Sequence, residues 1–193
     1  MTKWLSHRMV ERGIIKEEEQ ELYQFGIRNG MILLLNVVTA LVIGLLTEQL
    51  AVVAVFTLSF MVLRSYTGGY HSDSRIFCYL GSNLVLLVPV YTQAVFYKTS
   101  LAWLLAVLLV SAGIIFLLSP MHSKNRKLDK EEQKHFGRKA RLIAVLELAV
   151  LGILWHAGQI PYAYAVYTGI CITALFMLIG KAQLWIQSHT ENG

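Results

Sequence analysis

The chain has 193 residues, 55% of them hydrophobic and only 15% charged, with a mean hydropathy of +0.53 and a net charge of +5. Soluble domains carry about a quarter charged residues, so this composition excludes an ordinary water-soluble fold and points to a bilayer. The basic residues sit between apolar runs rather than along one stripe, which is a membrane-topology pattern and argues against nucleic acid as a partner.

Residues 1–25 mix charge with the apolar anchors Trp4, Leu5, Met9, Val10, Ile14, Ile15, Leu22 and Phe25. The segment predicts two amphipathic helices on the membrane surface, the first ending near Gly13 and the second built on Lys16–Glu21; a solvated tail is the alternative. No cleavable signal peptide is read in the polar first two dozen residues. Six apolar runs follow, at 27–46, 50–64, 76–97, 101–118, 141–157 and 162–180. Each approaches the ~20 residues a helix needs to cross a ~30 Å hydrocarbon core. The fold class expected is therefore all-α, a single integral membrane domain over 1–193 with six transmembrane helices and a basic loop at 119–140. Arg64 closes the second run and can snorkel to the headgroups. Pro89 should kink the third helix, Pro120 ends the fourth run, and Pro161 starts the sixth.

The lysines and arginines set the orientation. In a six-span arrangement sixteen of the seventeen lie on one side and Lys98 alone on the other. By the positive-inside rule both termini are cytoplasmic, as are the 64–75 segment and the basic loop.

The chemistry concentrates in one stretch, from Arg64 through Gly68-Gly69, His71 and Cys78 to Ser82. A cysteine becomes nucleophilic beside a histidine, a cation or a helix N-terminus. Ser72, Asp73 or Ser74 can cap a helix that carries Cys78 about one turn in, near its positive end. On an unbroken helix His71 and Cys78 would be about 10 Å apart along the axis, too far for a hydrogen bond. The diglycine break that folds His71 back over Cys78 is thus a requirement of a thiol site. The duller alternatives are a packing cysteine, which is how Cys171 reads, and an interfacial histidine. Two cysteines without CxxC spacing make neither a disulfide framework nor a metal site. No metal or other cofactor is expected, although His122 and His135 leave a recruited metal open. Glu147 lies inside the fifth run, where an ionisable group is costly and suggests function; it can reach His71 or pair with an arginine. Ser82 falls one turn beyond Cys78 on the same face.

The pattern Arg64-x4-Gly69-x-His71-x6-Cys78-x3-Ser82 resembles the motif of the AgrB family, the accessory gene regulator B proteins of Gram-positive bacteria. The Phe25-Gly26-Ile27 entry to the first run and the Pro120-x4-Asn125-Arg126-Lys127-Leu128 start of the basic loop agree with it. The resemblance implies a membrane cysteine endopeptidase in the cell membrane, with its active site on the cytoplasmic side, that processes an AgrD-like precursor of a quorum-sensing peptide. It implies Cys78 as nucleophile, His71 as general base, and Arg64 and Gly69 in support. It further implies a role for Lys124, Arg126 and Lys127 in binding the precursor, a thioester intermediate, a cyclic thiolactone product and a homodimer. Two other functions compete. One is a small peptide transporter using Glu147, Asn36, Asn83 and Gln93; the other is a membrane peptide-binding protein without chemistry.

Overall fold

The computed structural model describes residues 2–68, 75–121 and 129–190. Every regular element among them is helical: α1 (Thr2–Glu11), α2 (Gln20–Leu46), α3 (Leu50–Thr67), α4 (Arg75–Tyr91), α5 (Gln93–Lys98), α6 (Leu101–Leu118), α7 (Lys130–His156) and α8 (Ile160–Thr190).

The first helix ends where Gly13 lets it. The Gly13 N–H donates to Val10 O and the Ile14 N–H to Met9 O, both at 2.9 Å, with Gly13 at φ +66°. This left-handed cap satisfies two carbonyls that the helix end would otherwise strand. The second surface helix expected at Lys16–Glu21 does not form separately. A single 3-10 turn at Glu17–Glu19 leads straight into α2. Gly26 is the one weak helix former between Glu21 and the apolar run, and its cost of about 1 kcal/mol does not stop the rod, so Leu22 and Phe25 become part of it.

The third expected span divides in two. Pro89 sits inside α4, and the helix breaks three residues later at Thr92 before resuming as α5. The fourth run matches α6 over 101–118. The fifth begins earlier than expected: residues 130–140, read as loop, are the first three turns of α7. Its start is marked by Asp129, whose backbone N–H donates to Glu132 Oε2 at 3.3 Å. That pairing of an N-cap with an acidic residue three positions on is a sequence signal the loop reading overlooked.

Among the described residues five helical stretches are long and apolar enough to cross a membrane: Glu17–Leu46, Leu50–Thr67, Tyr79–Lys98, Leu101–Leu118 and Ile160–Ile186. The helix α7 is not among them, because its last eighteen residues, 139–156, hold Lys139, Arg141 and Glu147.

The bundle is organised around α8, which packs on α3, α6 and α7. Small residues make this possible. A Cβ on Gly169 would meet Ser59 Oγ at 2.5 Å, so α3 and α8 approach more closely there than any side-chain pair allows. One buried cluster joins Ala40, Val53, Phe56, Leu86 and Tyr164; a second joins Leu63, Ile115, Ala144, Ile170 and Met177. Large apolar side chains such as Leu109 and Leu117 face outward instead, as lipid contact requires.

Candidate active site

The last turn of α3 points the chain into the chemistry-bearing stretch. Arg64 is half-buried and turns inward rather than out to headgroups: its Nη1 donates to Gly68 O at 3.0 Å, and its guanidinium lies 5.0 Å from the Phe176 ring centroid on α8. The apolar wall of α8 beside it offers a π-face, on which a planar guanidinium can stack while its N–H groups still donate. Gly68 ends the helix at φ +72°. The Met121 N–H then donates to Thr67 O at 2.9 Å, tying the ends of α3 and α6 together. A Cβ on Gly68 would come 2.6 Å from Met121 O, so only glycine fits that junction. On the far side of this segment, a Cβ on Gly137 would meet Pro120 Cδ at 3.0 Å, so α7 is pressed against it as well.

The stretch 69–74 leaves from one partner of this junction and 122–128 from the other. His71, Gly69, Lys124, Arg126 and Lys127 lie outside the described residues. Cys78 is the fourth residue of α4, within its first turn; its side chain and the expected caps Ser72, Asp73 and Ser74 lie outside what is described. Ser82 follows one turn later and is half-buried. One contact had no sequence signal: Tyr79 OH and Thr39 Oγ1 lie 2.8 Å apart, joining the helix that carries Cys78 to α2. A threonine in an apolar run and a tyrosine forty residues away give no hint of pairing.

Glu147 is placed in the bundle, half-buried, with Ser59 Oγ donating to its Oε2 at 2.6 Å. Sequence reasoning suspected the carboxylate and missed the serine, because the register of α3 against α7 is a tertiary fact. Ser59 is itself buried and wedged against Gly169. The serine→alanine change at 59 removes a donor from a carboxyl that water reaches poorly, which costs about 1–3 kcal/mol. Thermal melting in detergent should show Ser59→Ala well below the parent, and the isosteric Ser59→Cys between the two.

The other candidates resolve plainly. Cys171 is half-buried between α6 and α8 and hydrogen-bonds with Ser111 and Tyr167. Asn36 on α2 and Asn83 on α4 each bury an Oδ1 with no hydrogen-bond partner. Among the described residues no three of His, Cys, Asp and Glu come together as a metal site; His122 lies outside them.

Comparison of the sequence with known proteins shows the family. The sequence model of the Accessory gene regulator B family, AgrB, matches residues 1–179. The chain is 26% identical to the Accessory gene regulator protein B of Staphylococcus intermedius over 156 residues, which cover 79% of this chain and 80% of the relative. It is 23% identical to a Putative AgrB-like protein of Clostridium perfringens strain SM101, over 74% of this chain and 69% of the relative. A Putative AgrB-like protein 2 of Clostridium perfringens strain 13 is 24% identical over 65% of this chain and 61% of the relative. No solved structure matches the chain significantly.

Proposed function

This chain belongs to the accessory gene regulator B family, and from that premise we propose that it is a membrane cysteine endopeptidase with Cys78 as nucleophile and His71 as general base. The family's role in processing an autoinducing peptide sets the substrate: a short precursor that the enzyme truncates at its C-terminal side. His71 takes the Cys78 proton, and the thiolate attacks the scissile carbonyl carbon. The C–N bond breaks, the leaving amine takes the proton back from His71, and the N-terminal part remains on Cys78 as a thioester. A cysteine of the peptide then displaces the enzyme thiol, closing a thiolactone. Thioester exchange is nearly balanced, so the product depends on keeping water from the acyl-enzyme, which the edge of a bilayer favours.

The observation that carries this reading is the family match over residues 1–179, which spans the Arg64–Ser82 stretch. The Thr67–Met121 hydrogen bond at 2.9 Å joins the two points from which the segments 69–74 and 122–128 leave the described structure. Arg64 and Gly69 support the site, with Ser82 on the Cys78 helix and Glu147 behind α3. The reading takes α7 as a sixth crossing despite its three charged residues, puts both termini and this junction on the cytoplasmic side by the distribution of lysine and arginine, and takes the chain to act as a homodimer.

A transporter is the second reading, favoured by the unpartnered Asn36 and Asn83 oxygens. Co-reconstitution of the purified chain with candidate precursor peptides in liposomes separates the two. Cleavage yields a peptide shortened at its C-terminus by mass spectrometry. Movement of intact peptide across the bilayer, with no shortened product, would overturn the peptidase.

A further inference from the structure

The end of the bundle away from the α3–α6 junction holds a feature that the roles above leave unused. Between the first half of α6 and the last turns of α7 lies an apolar cavity of about 270 Å³, backed by Phe96, Trp155 and Tyr167 and edged by Leu101 and Leu105. Phe96 meets Trp155 edge-on at 6.4 Å and Tyr167 at 5.3 Å between ring centroids, so the back wall is an interlocked aromatic surface. Leu101 and Leu105 are about half exposed, so the cavity opens sideways between the helices.

Gly152 is the reason the space is there. It lines the cavity from α7, and a Cβ placed on it would meet nothing within 4 Å. Gly169 is required because α3 presses against it, whereas Gly152 lies in a helix interior with room to spare, where alanine would be the better residue. Packed interiors leave few voids larger than a water molecule, and an apolar void of about 150 Å³ already admits a benzene-sized guest. This one is larger and stands in the spanning part of the bundle, where the surrounding solvent is hydrocarbon.

Its shape and its mouth select the occupant. From Leu101 to Leu108 the cavity follows about 10 Å of α6, most of the about 15 Å that one leaflet of the hydrocarbon core provides. That is the run of a single chain lying along the helices. His156 lines the mouth and is exposed, and Lys98 is exposed three residues before Leu101. Among the described residues Lys98 is the one lysine or arginine at this end of the bundle. An anionic phosphate is attracted there.

We propose that this cavity binds one acyl chain of a phospholipid, with the chain against Phe96, Trp155 and Gly152 and the phosphate beside Lys98. The site is independent of the peptidase reading, since none of these residues has a part in the chemistry.

The test uses the full-length chain carrying Trp4→Phe, Trp103→Phe and Trp185→Phe, which leaves Trp155 as its only tryptophan. It is held in glyco-diosgenin micelles, whose rigid steroid body is wider than an acyl chain. The probe is phosphatidylglycerol with a dibromostearoyl chain, read by quenching of Trp155 fluorescence. Quenching should saturate, as at a single site. Gly152→Leu should weaken it by at least about tenfold, the effect of excluding some two buried methylenes. Gly152→Ala should fall between the two, so the result does not depend on one variant. Gly113→Leu makes the same change on α6 outside the cavity, where a Cβ also meets nothing within 4 Å; it should stay within about twofold of the parent. Lys98→Gln should bind about fivefold more weakly. Quenching that rises without saturating, or that is equal in the parent and Gly152→Leu, would mean bulk lipid contact only and would overturn the site. Full affinity in Lys98→Gln would overturn a phospholipid as its occupant.

Discussion

Cys78→Ala should lower the rate of precursor truncation by at least about 10⁴-fold, the scale on which removing an enzyme's nucleophile silences covalent catalysis. The effect should come without unfolding. Position 78 is in the first turn of α4, and alanine is the best helix former. Cys78→Ser should be nearly as inactive, since a hydroxyl is a far weaker nucleophile than a thiol with the same base beside it. Cys171→Ala is the internal control: that thiol is tied to Ser111 and Tyr167 between α6 and α8, and its loss should leave the rate within about twofold, as expected for a residue outside the chemistry. Initial rates of fragment release from liposomes, by mass spectrometry, decide the matter. Truncation surviving in Cys78→Ala would move the nucleophile elsewhere.

Gly68→Val carries the second-largest expected effect, and it acts without touching a reacting group. The residue sits at φ +72°, where a β-branched side chain is strained by about 1–3 kcal/mol. Its new Cβ would also stand 2.6 Å from Met121 O. Relief requires the two chain ends to part, breaking the Met121–Thr67 bond and shifting the Gly68 carbonyl that Arg64 holds. Displacing both departing segments by about 1 Å should cost on the order of 10²-fold in truncation rate. Gly68→Asn separates the two causes, because asparagine accepts the backbone angle yet still brings the Cβ. If Asn is as active as glycine, close approach is not what matters there. Alkylation of Cys78 by iodoacetamide should persist in both variants, since the thiol itself is untouched.

Much of this molecule is readable in the chain because a bilayer imposes one dominant rule. Apolar length dictates helices, so α3 and α6 appear close to where composition puts them, and Gly13 ends α1 as a glycine should. The misplacements have local causes. The α2 rod absorbs Glu21 through Phe25 because Gly26, a weak helix former but no proline, does not stop it. The basic segment at 130–140 is helical because Asp129 and Glu132 start a helix that charge counting reads as loop. At the site, the sequence exposed what is chemically odd: a thiol, a histidine, an arginine beside a diglycine, and a carboxyl among leucines. Partners set by tertiary register stayed hidden. Ser59 on Glu147, Thr39 on Tyr79, and Met121 on Thr67 lie 88, 40 and 54 positions apart, respectively. No local pattern encodes such pairings; they follow from how Gly169 lets α8 meet α3 and how Gly68 and Gly137 let the chain ends close together.

The decisive measurement is the intact mass of the reconstituted chain, rapidly quenched in acid during precursor turnover and followed by peptide mapping. The peptidase predicts a transient mass increase equal to the N-terminal part of the precursor, mapped to Cys78 and removed by hydroxylamine, as a thioester must be. A precursor that is truncated while Cys78 stays unmodified throughout, or an adduct that maps to another residue, would contradict it.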